Sequence, residues 1–438
     1  MGQEGATTVP LRLERPLSFP LWMIPAAYVA ASVAAGVVIP RLEQAWLPNL
    51  GHPMSAQAAL AAFATVASGS MAFTGMVFAV AFIAVQFSAV AYSPRLVVMF
   101  ANAPRLYHTL GLFFATFTYC VAALMWTDRR GSGVAPLISS CIVGLLLLAS
   151  MLAFARLIQA IQALQMQNVL QRIGARGRAV IGDLFPPLRD GDRDAIDAAV
   201  LLASLPPARG AFTYAGSPLV IAELDLRSLT DLARTAGAVI VVEQAVGDTL
   251  IDGVVLCRVH GGERPIDGTA LGRTFRLAAA RTFEQDPKYA IRLLVDVAIR
   301  ALSPAINDPT TAVQALDQIE DLLGRLGRSE LDSGYTRDET SALRVFFPAP
   351  TWDDYLSLAF DEIRQYGATS LQVTRRLRAA LSALPASITH EGRRMAVQRY
   401  LEHLDRGMQR STFDDEDRAT GMSIDRQGLG LARPFGLH

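Results

Sequence analysis

The stretch GSMAFTGMVFAVAFIAVQFSAVAYSPR, residues 69–95, carries no charge before its final arginine, yet holds one glutamine, Gln86, deep inside an apolar run. Such a segment is either a buried core element or a membrane span, and in both settings the amide needs a hydrogen-bond partner. The neighbouring sequence decides between them. Asp, Glu, Lys and Arg are absent from 16–40, 44–94, 106–127 and 131–155. A helix needs about 20 apolar residues to cross roughly 30 Å of hydrocarbon. FPLWMIPAAYVAASVAAGVVIP, LYHTLGLFFATFTYCVAALMW and VAPLISSCIVGLLLLASMLAFA each fit one span, with Trp22, Tyr107 and Trp126 near the ends where amphipathic rings favour the headgroup level. Four runs of this length in one half of a chain point to a membrane rather than to a soluble core.

The expected spans are 19–40, 58–92, 106–127 and 134–156, within a transmembrane domain covering 17–158. The second is too long for one perpendicular crossing, since a helix from Ala58 to Tyr92 runs roughly 50 Å. A single long helix with a weak point at Gly69 and Gly75 is expected; a re-entrant first half is the alternative. Arg12 and Arg15 precede the first window as in a cleavable signal, but its apolar run exceeds the usual ~7–15 residues, so a retained helix is expected.

The 438 residues hold only 18 % charged side chains, below the quarter or so of soluble domains. Forty basic residues balance forty acidic ones, so no nucleic-acid partner is expected. Lys288 is the sole lysine, which excludes lysine chemistry elsewhere. Cys120, Cys141 and Cys257 have no CxxC spacing and suggest neither disulfide nor zinc. Arginines flank the windows unevenly: Arg12, Arg15, Arg95, Arg105, Arg156, Arg172, Arg176 and Arg178 on one side, Arg41, Arg129 and Arg130 on the other. That imbalance places both termini in the cytoplasm.

Within the second span Ser68, Gly75, Ala79 and Gln86 share one helical face. Small residues let another helix approach closely in lipid, and an amide can bond across the contact. The face is therefore a packing seam or the wall of a water-filled path, and either keeps Gln86 out of lipid. Arg95 in SPR and Arg105 in APR read as anchors at the membrane interface.

After Arg156 the chain becomes water-compatible. RLIQAIQALQMQNVLQRIG keeps the helical period, so the fourth span is expected to continue out of the bilayer through a helical extension and linker, 159–204. Residues 205–285 read as a small cytoplasmic α/β domain: a strand at SPLVIAEL, a helix begun by Asp225 and stopped by Gly237, then strands at AVIVVEQ and LIDGVVLCRV. The GDTLIDGVVL pattern is similar to biotinyl and lipoyl half-barrels, without the lysine their chemistry needs. Residues 286–411 read as a helical domain. Asp286–Pro287 and Asp308–Pro309 each place an N-cap Asp before a Pro, with Ser303, Pro304 and Asn307 in the bend between two helices. Thr351 and Asp354 resemble a capping box. The tail 412–438 is expected to be loose, and residues 1–16 are read as an N-terminal cytoplasmic tail.

With QFSAVAYSPRLVVMF, RTFEQDPKYAIRLLVDVAIRALSPAINDPTTAVQALD, WDDYLSLAFDEIRQYG and DRQGLG read together, the chain resembles a large bacterial family of predicted membrane proteins of unknown function. The resemblance implies an integral inner-membrane protein with a cytoplasmic domain, and brings no activity or catalytic residues.

The fold class expected is thus an α-helical transmembrane bundle of about four spans, a cytoplasmic α+β unit and a helical C-terminal region. The histidines at 52, 108, 260, 390, 403 and 438 show no HxxxH or HExxH spacing, and GxSxG, P-loop and GxGxxG patterns are absent. No catalytic residue, metal or cofactor is assigned. Two functions fit: a channel-like conduit for ions or small solutes, built as a homo-oligomer and gated by its cytoplasmic domain, or a membrane-anchored sensor or scaffold whose cytoplasmic domain binds a protein or small-molecule regulator.

Overall fold

The computed structural model describes residues 6–10, 20–46, 55–91, 104–128, 137–162, 165–188, 198–331 and 334–429. The chain divides into two compact units, Pro16–Asn168 and Met1–Arg15 with Val169–His438.

The first unit is built from four helices, α1 (Met23–Trp46), α2 (Ala56–Ala91), α3 (Pro104–Asp128) and α4 (Leu137–Gln162). Each contains a stretch long and apolar enough to cross a membrane. α1 runs through Pro40, past the boundary at which the charge-free window ends, and so carries Glu43 within the helix. α2 is unbroken over 36 residues. Neither Gly69 nor Gly75 interrupts it, and its Thr65, Ser68, Ser70 and Thr74 hydroxyls donate to carbonyls three or four residues back. That back-bonding satisfies polar side chains without a partner helix.

α3 is the central helix, packed against α1, α2 and α4. Half of its spanning window is buried, against 17 % for α1 and α4. The α1–α3 crossing is close because of two glycines. A Cβ on Gly36 would stand 2.7 Å from the Ala122 Cβ, and one on Gly111 would stand 2.7 Å from the Tyr28 ring. Ala59, Phe63, Tyr119, Cys120 and Ala123 form one core cluster of the bundle, and Val77, Leu110, Phe113 and Leu157 a second. The hydroxyls of Thr116 and Ser150 bond to each other at 2.9 Å between α3 and α4, and the Ser32 hydroxyl donates to the Ala115 carbonyl.

The second unit holds a six-stranded sheet in the order β1-β2-β6-β4-β9-β8 and a three-stranded sheet β5-β3-β7. The strands are β1 (Ala6–Pro10), β2 (Ala208–Ala215), β3 (Leu219–Leu224), β4 (Ala238–Val242), β5 (Thr249–Leu250), β6 (Val255–Gly261), β7 (Phe275–Ala278), β8 (Tyr335–Arg337) and β9 (Leu343–Phe346). β1 runs parallel to β2, and β4 parallel to β9; the other pairs are antiparallel. Between them lie Tyr214, Ile221, Leu229, Ile240, Leu256 and Val345, all almost fully buried.

Helices surround the sheets: α5 (Met166–Leu184), α6 (Ala198–Ala203), α7 (Leu226–Ala236), α8 (Gly268–Gly272), α9 (Pro287–Ala301), α10 (Pro309–Leu326), α11 (Trp352–Tyr366), α12 (Leu371–Ala383), α13 (Glu391–Gln409) and α14 (Asp415–Gly421). Asp225 caps α7 by accepting from the Ser228 N–H, and Gly237 ends it in the left-handed conformation at φ 66°. α9 packs on α10 and α11, and α10 on α12. α5 lies against the same group, with Gly177 fitted to Ala290 and Leu322 and Arg178 paired to Asp321 at 3.0 Å.

Four sequence expectations change here. The helical run from the fourth span is two elements, α4 ending at Gln162 and α5 beginning at Met166, with a bend at Gln165. The division at 285/286 is not a domain boundary, because β8 and β9 extend the sheet that contains β4. The N-terminal tail contributes β1 to that same sheet. The segment after Ser411 is packed as far as Gly428. Arg375, 3 % exposed, faces the equally buried Asp425 at 3.9 Å, and Asp425 accepts the Gly428 N–H at 2.9 Å. A polar, glycine-bearing tail reads as loose only while its buried arginine partner, far away in sequence, is unknown.

Candidate functional site

α2 carries two faces with different surroundings. Its intrachain seam is Ala59, Phe63, Ala67, Ser70, Thr74 and Val77, all buried. Ser68, Gly75 and Ala79 are exposed, and among the described residues no atom of another element lies within 4 Å of a Cβ built on Gly75. At about 100° per residue these three positions, with Gln86, centre roughly opposite the seam. Gln86 is inside the helix, and its side chain lies outside the described residues. The face singled out in the sequence is therefore not the one that holds this chain's four helices together. The glycines that permit close intrachain approach are Gly36 and Gly111.

Glu43 is the polar residue of the bundle that the sequence did not single out. It is 5 % exposed, and its carboxylate accepts the Ile138 N–H at 2.9 Å and the Ser139 N–H at 3.4 Å. The first four N–H groups of any helix lack intrahelical partners, and lipid supplies none. A carboxylate at the positive end of the macrodipole answers both needs. Glu43 is thus the cap of α4, delivered from the end of α1. The Tyr119 and Ser139 hydroxyls are buried with no hydrogen-bond partner among the described residues. One signal was available: Glu43 is a lone carboxylate between two charge-free windows.

Of the interface anchors, Arg105 is exposed in the first turn of α3, and Arg95 lies outside the described residues. In the second unit the hairpin motif is assembled at the α9–α10 connection. Asp308 accepts from the Thr311 N–H at 3.1 Å and from the Thr311 hydroxyl at 2.6 Å, and Pro309 begins α10. Asn307 adopts φ 49°, a left-handed conformation that Asn tolerates better than most residues. Its N–H donates to the Ser303 carbonyl at 2.9 Å, the Ser303 hydroxyl donates to the Arg300 carbonyl, and Pro304 is exposed at the bend.

Asp286 corrects the expectation of a second capping Asp. It stands before Pro287 at the start of α9 but makes no capping side-chain bond. Instead it is 2 % exposed and accepts from the Arg281 Nε at 2.6 Å. Burial raises its carboxyl above the usual range, although Arg281 and Lys288 pull the other way. Gly247, at φ 92°, lets the turn before β5 close over this pair.

Two cavities adjoin nearby and share Leu224, Leu226 and Gln285 in their walls. The larger, about 450 Å³, is lined about equally by polar and apolar surface and includes Arg227, Arg273 and Arg276. The smaller, about 210 Å³, is mostly apolar and contains Lys288. Among the described residues no group of three or more His, Cys, Asp or Glu side chains is placed to hold a metal ion. Cys257 is buried in the sheet, which pushes its thiol up to about 12 and leaves it unreactive at neutral pH.

The family model described as "Predicted membrane protein (DUF2254)" matches residues 19–383. The chain is also similar to an uncharacterised protein of Mycobacterium bovis and to one of Mycobacterium tuberculosis strain H37Rv. Each is 27 % identical over 338 residues, which is 75 % of this chain and 64 % of the relative. The chain thus spans somewhat less than two thirds of the length of these relatives. No solved structure matches. The match over most of the chain and the four spanning-length helices lead to one conclusion: the protein belongs to the DUF2254 family of predicted membrane proteins.

Proposed function

We propose that the protein is an oligomeric conduit for ions or small solutes in the bacterial inner membrane, gated by its soluble unit. The observation that carries this reading is the arrangement of α2, whose small and polar face lies opposite its intrachain seam and is unoccupied by the other described helices. In lipid, small residues favour a second helix, and a glutamine at membrane depth favours protein or water over acyl chains. A second copy of the chain supplies both in a closed ring, with α2 at the contact or on the wall.

The soluble unit takes strand β1 from before the first span and everything after Asn168 from beyond the fourth. Parallel pairing of β1 with β2 requires both segments on one side of the membrane, which supports an even number of crossings. The arginine distribution supports the cytoplasm as that side.

The test is ion flux through purified protein in liposomes, comparing wild type with Gln86→Leu after both are shown to assemble equally. Flux that the substitution alters supports the conduit. Absence of flux for several cations and anions with wild-type protein contradicts it and favours a membrane-anchored sensor or scaffold.

A further inference from the structure

We infer that the smaller cavity of the soluble unit binds a short acyl carboxylate, with Lys288 as its counter-ion. The inference stands on the geometry of the soluble unit alone and does not depend on the conduit.

The cavity wall is apolar on most sides, from Phe185 at the end of α5, Val246, Phe347 and the rings of Pro287 and Pro350. Its remaining wall is fixed by Gln285, whose Oε1 accepts the Leu224 N–H at 2.9 Å and whose Nε2 donates to the Leu224 carbonyl at 3.2 Å. Each end of that amide is held by the Leu224 backbone, which fixes Gln285 in the wall and leaves its second Nε2 hydrogen as a remaining donor. Lys288 is different. It is half-buried in the first turn of α9 and makes no hydrogen bond or ion pair with any other described residue. The nearest carboxylate in sequence, Asp286, bonds Arg281 through one oxygen and attracts Lys288 through space without a hydrogen bond to it.

An ammonium has three donors to satisfy, and one at the positive end of a helix is electrostatically misplaced. An anion resolves both conflicts. The shape of the site then selects the rest of the ligand. A volume of about 210 Å³ lies below the roughly 300–1,000 Å³ of drug-sized sites. At ~30 Å³ for each water-sized group, it holds roughly seven such groups. Counting the carboxylate's own three atoms, that matches an apolar part of about four or five carbons, and is too small for a nucleotide. Apolar pockets with one or two convergent polar groups are the usual architecture of small-molecule sites. An occupied cavity would bridge the end of α5, the strand end at Phe347 and the start of α9, so it is placed to hold those elements together.

Because Lys288 is the only lysine, its amine can be followed without ambiguity. Reductive methylation of the full-length protein with ¹³C-formaldehyde keeps the positive charge and gives one side-chain signal, separate from that of the terminal amine. Titration with hexanoate, hexanol and acetate, each into wild type and Leu184→Trp in nanodiscs, tests both halves of the inference. We expect a saturable shift of the Lys288 signal with hexanoate, at least tenfold weaker responses to hexanol and to acetate, and loss of the hexanoate response in Leu184→Trp with the far-UV spectrum unchanged. Equal responses to hexanoate and hexanol would remove the role of Lys288. Equal responses to hexanoate and acetate would remove the apolar site. No response to hexanoate, or an undiminished one in a folded Leu184→Trp, would overturn the assignment.

Discussion

Glu43 shows how one side chain can fasten two spans. Its carboxylate is the acceptor for the first turn of α4, so truncating it strands helix N–H groups where no water replaces it. Glu43→Ala is expected to cost about 1–2 kcal/mol, in the range of lost N-caps, and Glu43→Gln less, because an amide oxygen still accepts. Thermal unfolding in detergent ranks the three proteins; equal midpoints for wild type and Glu43→Ala would refute the cap. Asp308→Ala removes the cap of α10 and should cost about 1 kcal/mol, with Asp308→Ser recovering most of it. Asp286 should act through pH. Its folded carboxyl is raised above the unfolded value of about 3.9. Between those two values the native state holds a proton that the unfolded state has lost, so this residue's contribution to stability falls as pH rises through the window and is level above it. The wild-type minus Asp286→Asn difference in denaturation midpoint should therefore decline from about pH 4 upward and then flatten.

Helices sort their faces by what they touch. Gly36 and Gly111 sit where a Cβ would collide with Ala122 and Tyr28, so Gly36→Leu or Gly111→Leu should force α1 from α3 and lower folded yield in membranes. Gly75 has open space, so Gly75→Leu should leave the monomer's unfolding midpoint unchanged while reducing the oligomer fraction seen by chemical cross-linking. The sequence alone announced the existence of all four spans, since charge-free runs of that length have few other uses, and it announced α7 and α10 through their Asp caps. It did not reveal which α2 face is used inside the chain. Ser70 and Thr74 in the seam resemble Ser68 on the opposite side in composition, and only the neighbours distinguish them. Strands β8 and β9 were also hidden, because three or four residues between helices carry no period to read. Glu43 escaped because Pro40 looks like a helix end, although α1 continues past it.

At the scale of the whole molecule, β1 closes a loop in the chain: residues before the first span and residues after the fourth share one sheet. Reporter fusions at the two termini should accordingly report the same side, the cytoplasm. A periplasmic signal from only one terminus would break the even count of crossings. An oligomer of the proposed kind requires a second copy against the outer face of α2. The most direct measurement is disulfide cross-linking between copies in native membranes, in a background with Cys120, Cys141 and Cys257 replaced, using single cysteines at Ser68, Ala79 and Val77. The account predicts covalent dimers from Ser68→Cys and Ala79→Cys and none from Val77→Cys, which sits in the intrachain seam. Dimers from none of the three, or from Val77→Cys alone, would contradict it.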